Sequence, residues 1–85
     1  MSQKPIRMYL VNSRQRNGYT KYLVAKKLGI CHQHYSLIEN GETGRAIQFR
    51  TIYALAVALN IPFDVVCAEE AAYQEQWLNS DNNND

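Results

Sequence analysis

The segment Thr20–Gly41, TKYLVAKKLGICHQHYSLIENG, decides the fold of this 85-residue chain. Val24, Ala25 and Leu28 share one helical face, and helical spacing resumes after Gly29. Glycine has no Cβ, so it can adopt the left-handed backbone that ends one helix and redirects the chain. Ala25 is small where a second helix would have to cross closely. The segment therefore predicts two short helices joined by a tight turn, which is a helix-turn-helix.

Helical spacing on both sides of this motif predicts five helices in all. The predicted helices cover Pro5–Gln15, Thr20–Leu28, Cys31–Asn40, Phe49–Leu59 and 62–78. In the fourth helix one apolar face is predicted for Phe49, Ile52, Ala56 and Leu59. The polar stretch 79–85 has no apolar anchor, so we expect a disordered tail there. The pattern predicts an all-α fold: one compact five-helix domain over residues 1–78.

The net charge of +1 hides a strong asymmetry along the chain. All nine Lys and Arg residues lie at or before Arg50, where only Glu39 and Glu42 are acidic, and every other acidic residue follows. A basic half that contains a helix-turn-helix suits phosphate binding, whereas an acidic half is repelled by DNA. A solvated surface without a binding role is the alternative that charge alone leaves open.

Size and composition argue against several other classes of protein. The chain is too short for a large enzyme cleft, and its longest apolar run, Ile52–Leu59, is far below the ~20 residues that cross a bilayer. The N-terminus lacks the apolar region of a secretion signal, so we expect a cytoplasmic location and no membrane partner. Cys31 and Cys67 fit reduced thiols. Cys31 and His34 lie one helical turn apart, but zinc needs three or four protein ligands. We expect no metal, no cofactor and no enzymatic activity.

The chain resembles the phage-repressor or Cro-like helix-turn-helix proteins, also called the xenobiotic-response-element family. The similarity covers most of Leu10–Val66. It rests on Arg14, on GYT at Gly18–Thr20, on VAKKLGI at Val24–Ile30 and on IENG at Ile38–Gly41. The resemblance implies a lambda-repressor-like DNA-binding fold in which Arg14 and Glu39 form an ion pair largely out of solvent.

The resemblance also implies that the third helix lies in the major groove of DNA, with its first residues toward base edges. The candidate base-contacting residues are His32, Gln33, Ser36 and Leu37. Gln33 can form paired hydrogen bonds with adenine, His32 can donate to guanine, and Leu37 can pack on a thymine methyl group. The alternative for Gln33 and Ser36 is an ordinary solvated helix face. Tyr35 matches a buried position of the family.

Phosphate contacts are expected at the ends of the motif and beyond its following loop. The candidate residues are Thr20, Lys21, Asn40 and either Arg45 or Arg50. Lys26 and Lys27 are interpreted as solvated charges rather than direct contacts. Cys31 stands where Ser or Thr usually caps the third helix, and a thiol is a poorer acceptor, so we expect a weak cap.

The function implied by this resemblance is that of a sequence-specific DNA-binding transcriptional regulator of bacterial or phage type, most simply a repressor. It would act on double-stranded DNA as a homodimer that places two recognition helices about 34 Å apart on a palindromic operator. The alternative is a protein-interaction module of the same fold, an antitoxin or a repressor antagonist. That module would grip its partner through Tyr73 and Trp77 on the last helix, unless this stripe packs on its own domain.

Overall fold

The computed structural model describes residues 5–42 and 47–82, and within these ranges the chain forms five α-helices and no strand. The helices are α1 (Met8–Arg16), α2 (Lys21–Leu28), α3 (His32–Asn40), α4 (Phe49–Leu59) and α5 (Phe63–Asn82). Helix α2 packs on α3 and on α4, α4 packs on α5, and α1 packs on α3. The all-α bundle of five helices predicted from the sequence is confirmed.

The ends of α2, α3 and α4 follow from local sequence. The Thr20 hydroxyl caps α2 by accepting a hydrogen bond from the main-chain N–H of Leu23 at 3.1 Å. Gly29 and Gly41 end α2 and α3 with φ of 74°, and Asn60 ends α4 with φ of 59°. These are the left-handed conformations that glycine, and to a lesser degree asparagine, adopts readily. The predicted ends of these three helices are therefore confirmed.

The start of α1 differs from the prediction, because the helix begins at Met8 and not at Pro5. The main-chain N–H of Arg7 donates to the carbonyl of Glu39 at 2.8 Å, so this part of the chain is tied to the end of α3. Arg7 is the N-cap residue and has a non-helical backbone. This long-range hydrogen bond takes the place of the first helical turn that was predicted to begin at Pro5.

The end of α5 also differs, because the helix continues to Asn82 whereas the sequence predicted its end at residue 78 and a disordered tail over 79–85. Once a helix exists, each added residue gains a backbone hydrogen bond, so a short polar stretch need not stop it. Residues 83–85 lie outside the described part of the chain.

The core forms where α2, α3 and α4 meet α1. Its fully or almost fully buried side chains are Leu10, Val24, Ala25, Tyr35, Ile38, Leu55 and Leu59. Tyr35 is buried, as the family position implied. Phe49 departs from the predicted core face of α4, since most of its side chain is exposed. It lies in the first turn of α4, at the edge of the bundle, where its ring packs against Phe63.

A buried polar cluster joins the segment before α1 to α3 and α5. The fully buried Arg7 makes two parallel hydrogen bonds of 3.0 Å to the carboxylate of Glu70 and donates its Nη1 to the carbonyl of Ile38 at 2.8 Å. The same carboxylate accepts hydrogen bonds from Tyr9 at 2.6 Å and from Gln74 at 2.7 Å. Burial raises the pKa of Tyr9 far above its ordinary value, and the bond to Glu70 adds to the shift.

Tyr73 completes this cluster from the middle of α5. Its ring lies under the guanidinium of Arg7, 4.3 Å from centroid to Cζ, and its hydroxyl donates to the carbonyl of Pro5 at 3.0 Å. Of the two alternatives that the sequence left open for Tyr73, the structure shows packing on its own domain, because the side chain is buried there and is not exposed to a protein partner. Trp77, one turn further on, is half-buried.

Two features of this region require glycine at position 41. Besides its positive φ, a Cβ at this position would collide with the Pro5 carbonyl oxygen and the Tyr73 hydroxyl. Gly29 has the same φ, but a Cβ there meets no described atom within 4 Å. The close approach at Gly41 lets the chain before α1 cross the end of α3.

We expect Glu70→Gln to lower the free energy of unfolding by about 3–5 kcal/mol, because it leaves the buried guanidinium of Arg7 without its carboxylate. Urea denaturation followed by circular dichroism measures the loss. Glu69→Gln is the matched control, since it removes the same charge from an exposed neighbour and should cost no more than about 0.5 kcal/mol. Equal losses in the two variants would contradict the role assigned to the buried pair.

Candidate nucleic-acid interface

Helix α3 has a buried face and an exposed face. Tyr35, Ile38 and Glu39 are buried against the bundle. The exposed face carries the four residues predicted to contact bases: His32, Gln33 and Leu37 are exposed, and Ser36 is half-buried at the margin. On a helix, residues three and four apart are neighbours, so these four side chains form one continuous surface over the first two turns of α3. None of them is turned into the core.

Lys21 links the start of α2 to this surface. Its Nζ donates to the Oγ of Ser36 at 3.4 Å and lies 4.0 Å from a carboxylate oxygen of Glu39. About a third of the lysine side chain remains accessible. The positive charge predicted to meet phosphate is therefore held over α3 rather than extended freely into solvent.

The other predicted phosphate contacts that the structure describes lie at the ends of helices. Thr20 is exposed, and because its oxygen accepts the α2 cap bond, its hydroxyl proton stays free to be donated. Asn40 is half-buried at the last residue of α3, and Arg50 is exposed in the first turn of α4. Arg45 lies outside the described residues.

The ion pair between Arg14 and Glu39 is present in the structure. Nε of Arg14 lies 2.7 Å from Oε2 of Glu39, the carboxylate is almost fully buried, and Arg14 also donates to the carbonyl of Tyr19 at 3.2 Å. The hydrogen bond to Glu39 raises the pKa of the Arg14 guanidinium. Burial, followed by the nearby Glu39 carboxylate, raises the pKa of Tyr35 well above its ordinary value. Both groups are structural rather than available to a ligand.

The basic half of the chain is less basic at its surface than its composition suggests. Arg7 and Arg14 are used internally by the two ion pairs with glutamates. Arg16 lines a depression between α1 and α5 that also holds Glu69, away from the exposed face of α3. Among the residues that the structure describes, the exposed cations near α3 therefore come from α2 and the start of α4.

Sequence reasoning missed Tyr22 as a neighbour of the exposed face of α3. Its ring is exposed and its centroid lies 6.3 Å from that of His32. Tyr22 and Lys26 lie one turn apart on α2 and line a shallow depression together with His32 and Gln33. An exposed aromatic residue followed by a lysine at helical spacing was the available signal. Lys27 points elsewhere, with its Nζ 5.2 Å from the centre of the Tyr19 ring.

Cys31 takes the N-cap position of α3, but among the described residues no side chain makes a capping hydrogen bond to this helix. The thiol is exposed, and both cysteines are free. The weak cap expected from the sequence is therefore confirmed. The first-turn amides of α3 are left to solvent or to a ligand.

Residues 5–42 and 47–82 offer neither a metal site nor a membrane-spanning helix. No group of three or more His, Cys, Asp or Glu side chains there is placed to hold a metal ion. Over the same residues, no helix combines the length and the apolar character that crossing a membrane demands.

A family of known proteins matches most of the described helices of this chain. A family model described as helix-turn-helix matches residues 12–66, which is more than half of the chain. This chain belongs to that family, the Cro/C1-type helix-turn-helix proteins, whose domains are DNA-binding and regulatory rather than typically enzymatic. No curated protein and no solved structure gives a significant match.

We expect Cys31→Ser to raise the free energy of unfolding by about 1 kcal/mol, because a hydroxyl supplies the acceptor that the first-turn amides of α3 lack. Thermal or urea denaturation measures the gain. Cys67→Ser, in the interior of α5, is the control and should bring no gain, since no free first-turn amide lies there. A Cys31→Ser protein no more stable than the parent would show that the cap position is already satisfied.

Proposed function

We propose that this protein is a sequence-specific DNA-binding transcriptional regulator that places α3 in the major groove. The observation that carries the proposal is the division of α3 into a buried face, fixed by the core and by Glu39, and an exposed face of polar side chains at its N-terminal end. The major groove admits an α-helix, and a recognition helix reads bases through the residues of its first turns.

Each exposed side chain on α3 matches one kind of base edge. The amide of Gln33 can donate and accept at the same adenine, and the imidazole of His32 can donate to N7 or O6 of guanine. Leu37 offers an apolar contact to a thymine methyl group, while the Ser36 hydroxyl can donate or accept. Tyr22 lies beside His32 and limits the directions from which a base can approach it.

Phosphate contacts would flank this surface and set the register of α3 in the groove. Thr20 and Lys21 lie at the N-terminus of α2, where free amides and the helix dipole favour an anion. Lys26, interpreted from the sequence as a solvated charge, shares a depression with Gln33, and Arg50 shares another with His34, so both are proposed here as phosphate contacts. Asn40 and Arg45 are proposed phosphate contacts on the sequence alone.

Binding over a promoter would make the protein a repressor, and two copies on a palindromic operator would place their α3 helices about 34 Å apart. The alternative function, a protein-interaction module that uses α5, loses its main support because Tyr73 is buried. The two functions can be distinguished by how strongly the affinity for DNA depends on salt concentration.

Titration of the protein with mixed-sequence duplex DNA at 50 and 200 mM salt tests the proposed function. If three cations, Lys21, Lys26 and Arg50, neutralise phosphates, we expect affinity to fall roughly 40-fold over this range as counterions are released. Fluorescence anisotropy of a labelled duplex measures the change. An affinity that stays constant, or no binding at 50 mM, would favour the protein-interaction alternative.

Gln33→Ala tests the assignment of base contacts on a duplex selected from a random pool by the parent protein. We expect affinity for the selected duplex to fall by about 1–3 kcal/mol, since one bidentate base contact is lost. Affinity for mixed-sequence DNA should stay within about twofold, because the phosphate contacts remain. Gln76→Ala, at an exposed glutamine of α5, is the matched control. An equal loss on both duplexes would contradict base recognition by Gln33.

A further inference from the structure

Helix α4 has two apolar faces, and the fold uses only one of them. The inner face supplies the buried residues Leu55, Ala56, Ala58 and Leu59. The outer face carries Phe49, Tyr53 and Val57, which are 70%, 60% and 63% exposed. These three residues are spaced four apart, so they form a continuous stripe along the whole helix. An exposed helix face normally carries polar side chains, and the core does not account for this stripe.

Phe63, at the start of α5, joins this stripe. Its ring centroid lies 5.2 Å from that of Phe49, in an edge-to-face arrangement, and 6.0 Å from that of Tyr53. The three rings restrict one another, so they lose little side-chain entropy when a partner packs on them. Phe49, Tyr53, Val57 and Phe63 together are called the α4 patch below.

The α4 patch has the charge pattern of an interface core. No Asp, Glu, Lys or Arg occurs in the sequence between Arg50 and Asp64, and cores of protein interfaces are depleted in charge and enriched in aromatic residues. The patch is not suited to binding DNA, because it carries no cation that could neutralise phosphate. A second copy of the chain meets it without like-charge repulsion.

The size of the patch also suits a second copy. A whole aromatic side chain offers about 150–250 Å², so the exposed parts of Phe49 and Tyr53 leave about 250 Å² open. Val57 and Phe63 bring the patch to roughly 350–400 Å², the size at which an exposed apolar patch is often functional. Two such patches with a polar rim reach the lower end of the ~1,200–2,000 Å² of stable interfaces. Such a dimer should be weak in solution.

We infer that two copies of this chain associate through the α4 patch, around a two-fold axis that passes near Tyr53. In such an interface the same residues of both copies meet: Tyr53 packs on Tyr53, and Phe49 of one copy packs on Val57 of the other. The inference deepens the proposed function and rests on it only in one respect, that the dimer joins two α3 helices for one operator. Binding of both copies to DNA would then strengthen a weak contact through effective concentration.

Sedimentation equilibrium without DNA, from about 1 µM to 1 mM protein, tests the association. The parent should pass from the 9.8 kDa monomer toward twice that mass. Tyr53→Glu and Tyr53→Lys should each remain monomeric, because like charges would face each other across the axis. An equimolar mixture of the two variants should associate again, since Glu then meets Lys. Only a symmetric contact at Tyr53 gives this rescue.

Leu78→Glu is the matched control, because Leu78 is a 53% exposed apolar residue of α5 that lies about 22 Å along the helix from Phe63. It should associate like the parent. A parent that stays at 9.8 kDa, a Leu78→Glu protein that alone loses association, or a mixture that shows no rescue would each overturn the inference.

Two measurements keep this test independent of misfolding and of the proposed function. Thermal denaturation should show Tyr53→Glu folded like the parent, and where it is not, Val57→Lys replaces it as the patch variant. Binding of the monomeric variant to mixed-sequence duplex DNA reports the function of a single copy. Parent protein that binds this DNA but never dimerises overturns the inference alone, whereas parent that dimerises without binding DNA overturns the proposed function alone.

Discussion

The placement of α3 depends on two arginines that hold its C-terminal end. Arg7 donates a side-chain N–H to the carbonyl of Ile38 and its main-chain N–H to the carbonyl of Glu39, each at 2.8 Å. Arg14 holds the carboxylate of Glu39 at 2.7 Å. The last carbonyls of a helix have no partner within it, and positive charge is favoured beside them. These contacts satisfy the end of α3 and fix where the helix lies.

The buried polar cluster around Arg7 also joins the acidic half of the chain to the basic half. Glu70 of α5 meets Arg7, and Tyr9 and Gln74 share its carboxylate. Some of the charges that make the sequence asymmetric, those of Arg7 and Glu70, therefore pair with each other in the interior and are not available to a ligand. Because a buried carboxylate needs all these partners, α1, α3 and α5 are coupled through one group, and the exposed face of α3 is presented by the whole bundle.

The two exposed surfaces of the molecule differ in chemistry. The outer face of α3 is mostly polar, has cations of α2 and α4 near it, and carries the residues proposed to contact bases. The α4 patch is aromatic and uncharged, and its rings hold one another in place. The proposed regulator would use one surface of each kind, since the first would select the DNA and the second would bind another copy.

The sequence by itself determined the helix-turn-helix. Its signals, a threonine cap at Thr20 and left-handed ends at Gly29 and Gly41, act over a few residues, and so does the spacing that leaves His32 and Gln33 outside the core. Only the tertiary structure decided that Arg7 pairs with Glu70, 63 positions away, that Tyr73 is buried, and that the aromatic face of α4 points outward. Periodicity shows which residues share a helix face, but neither the orientation of that face nor the partner of a distant charge is set until the helices pack.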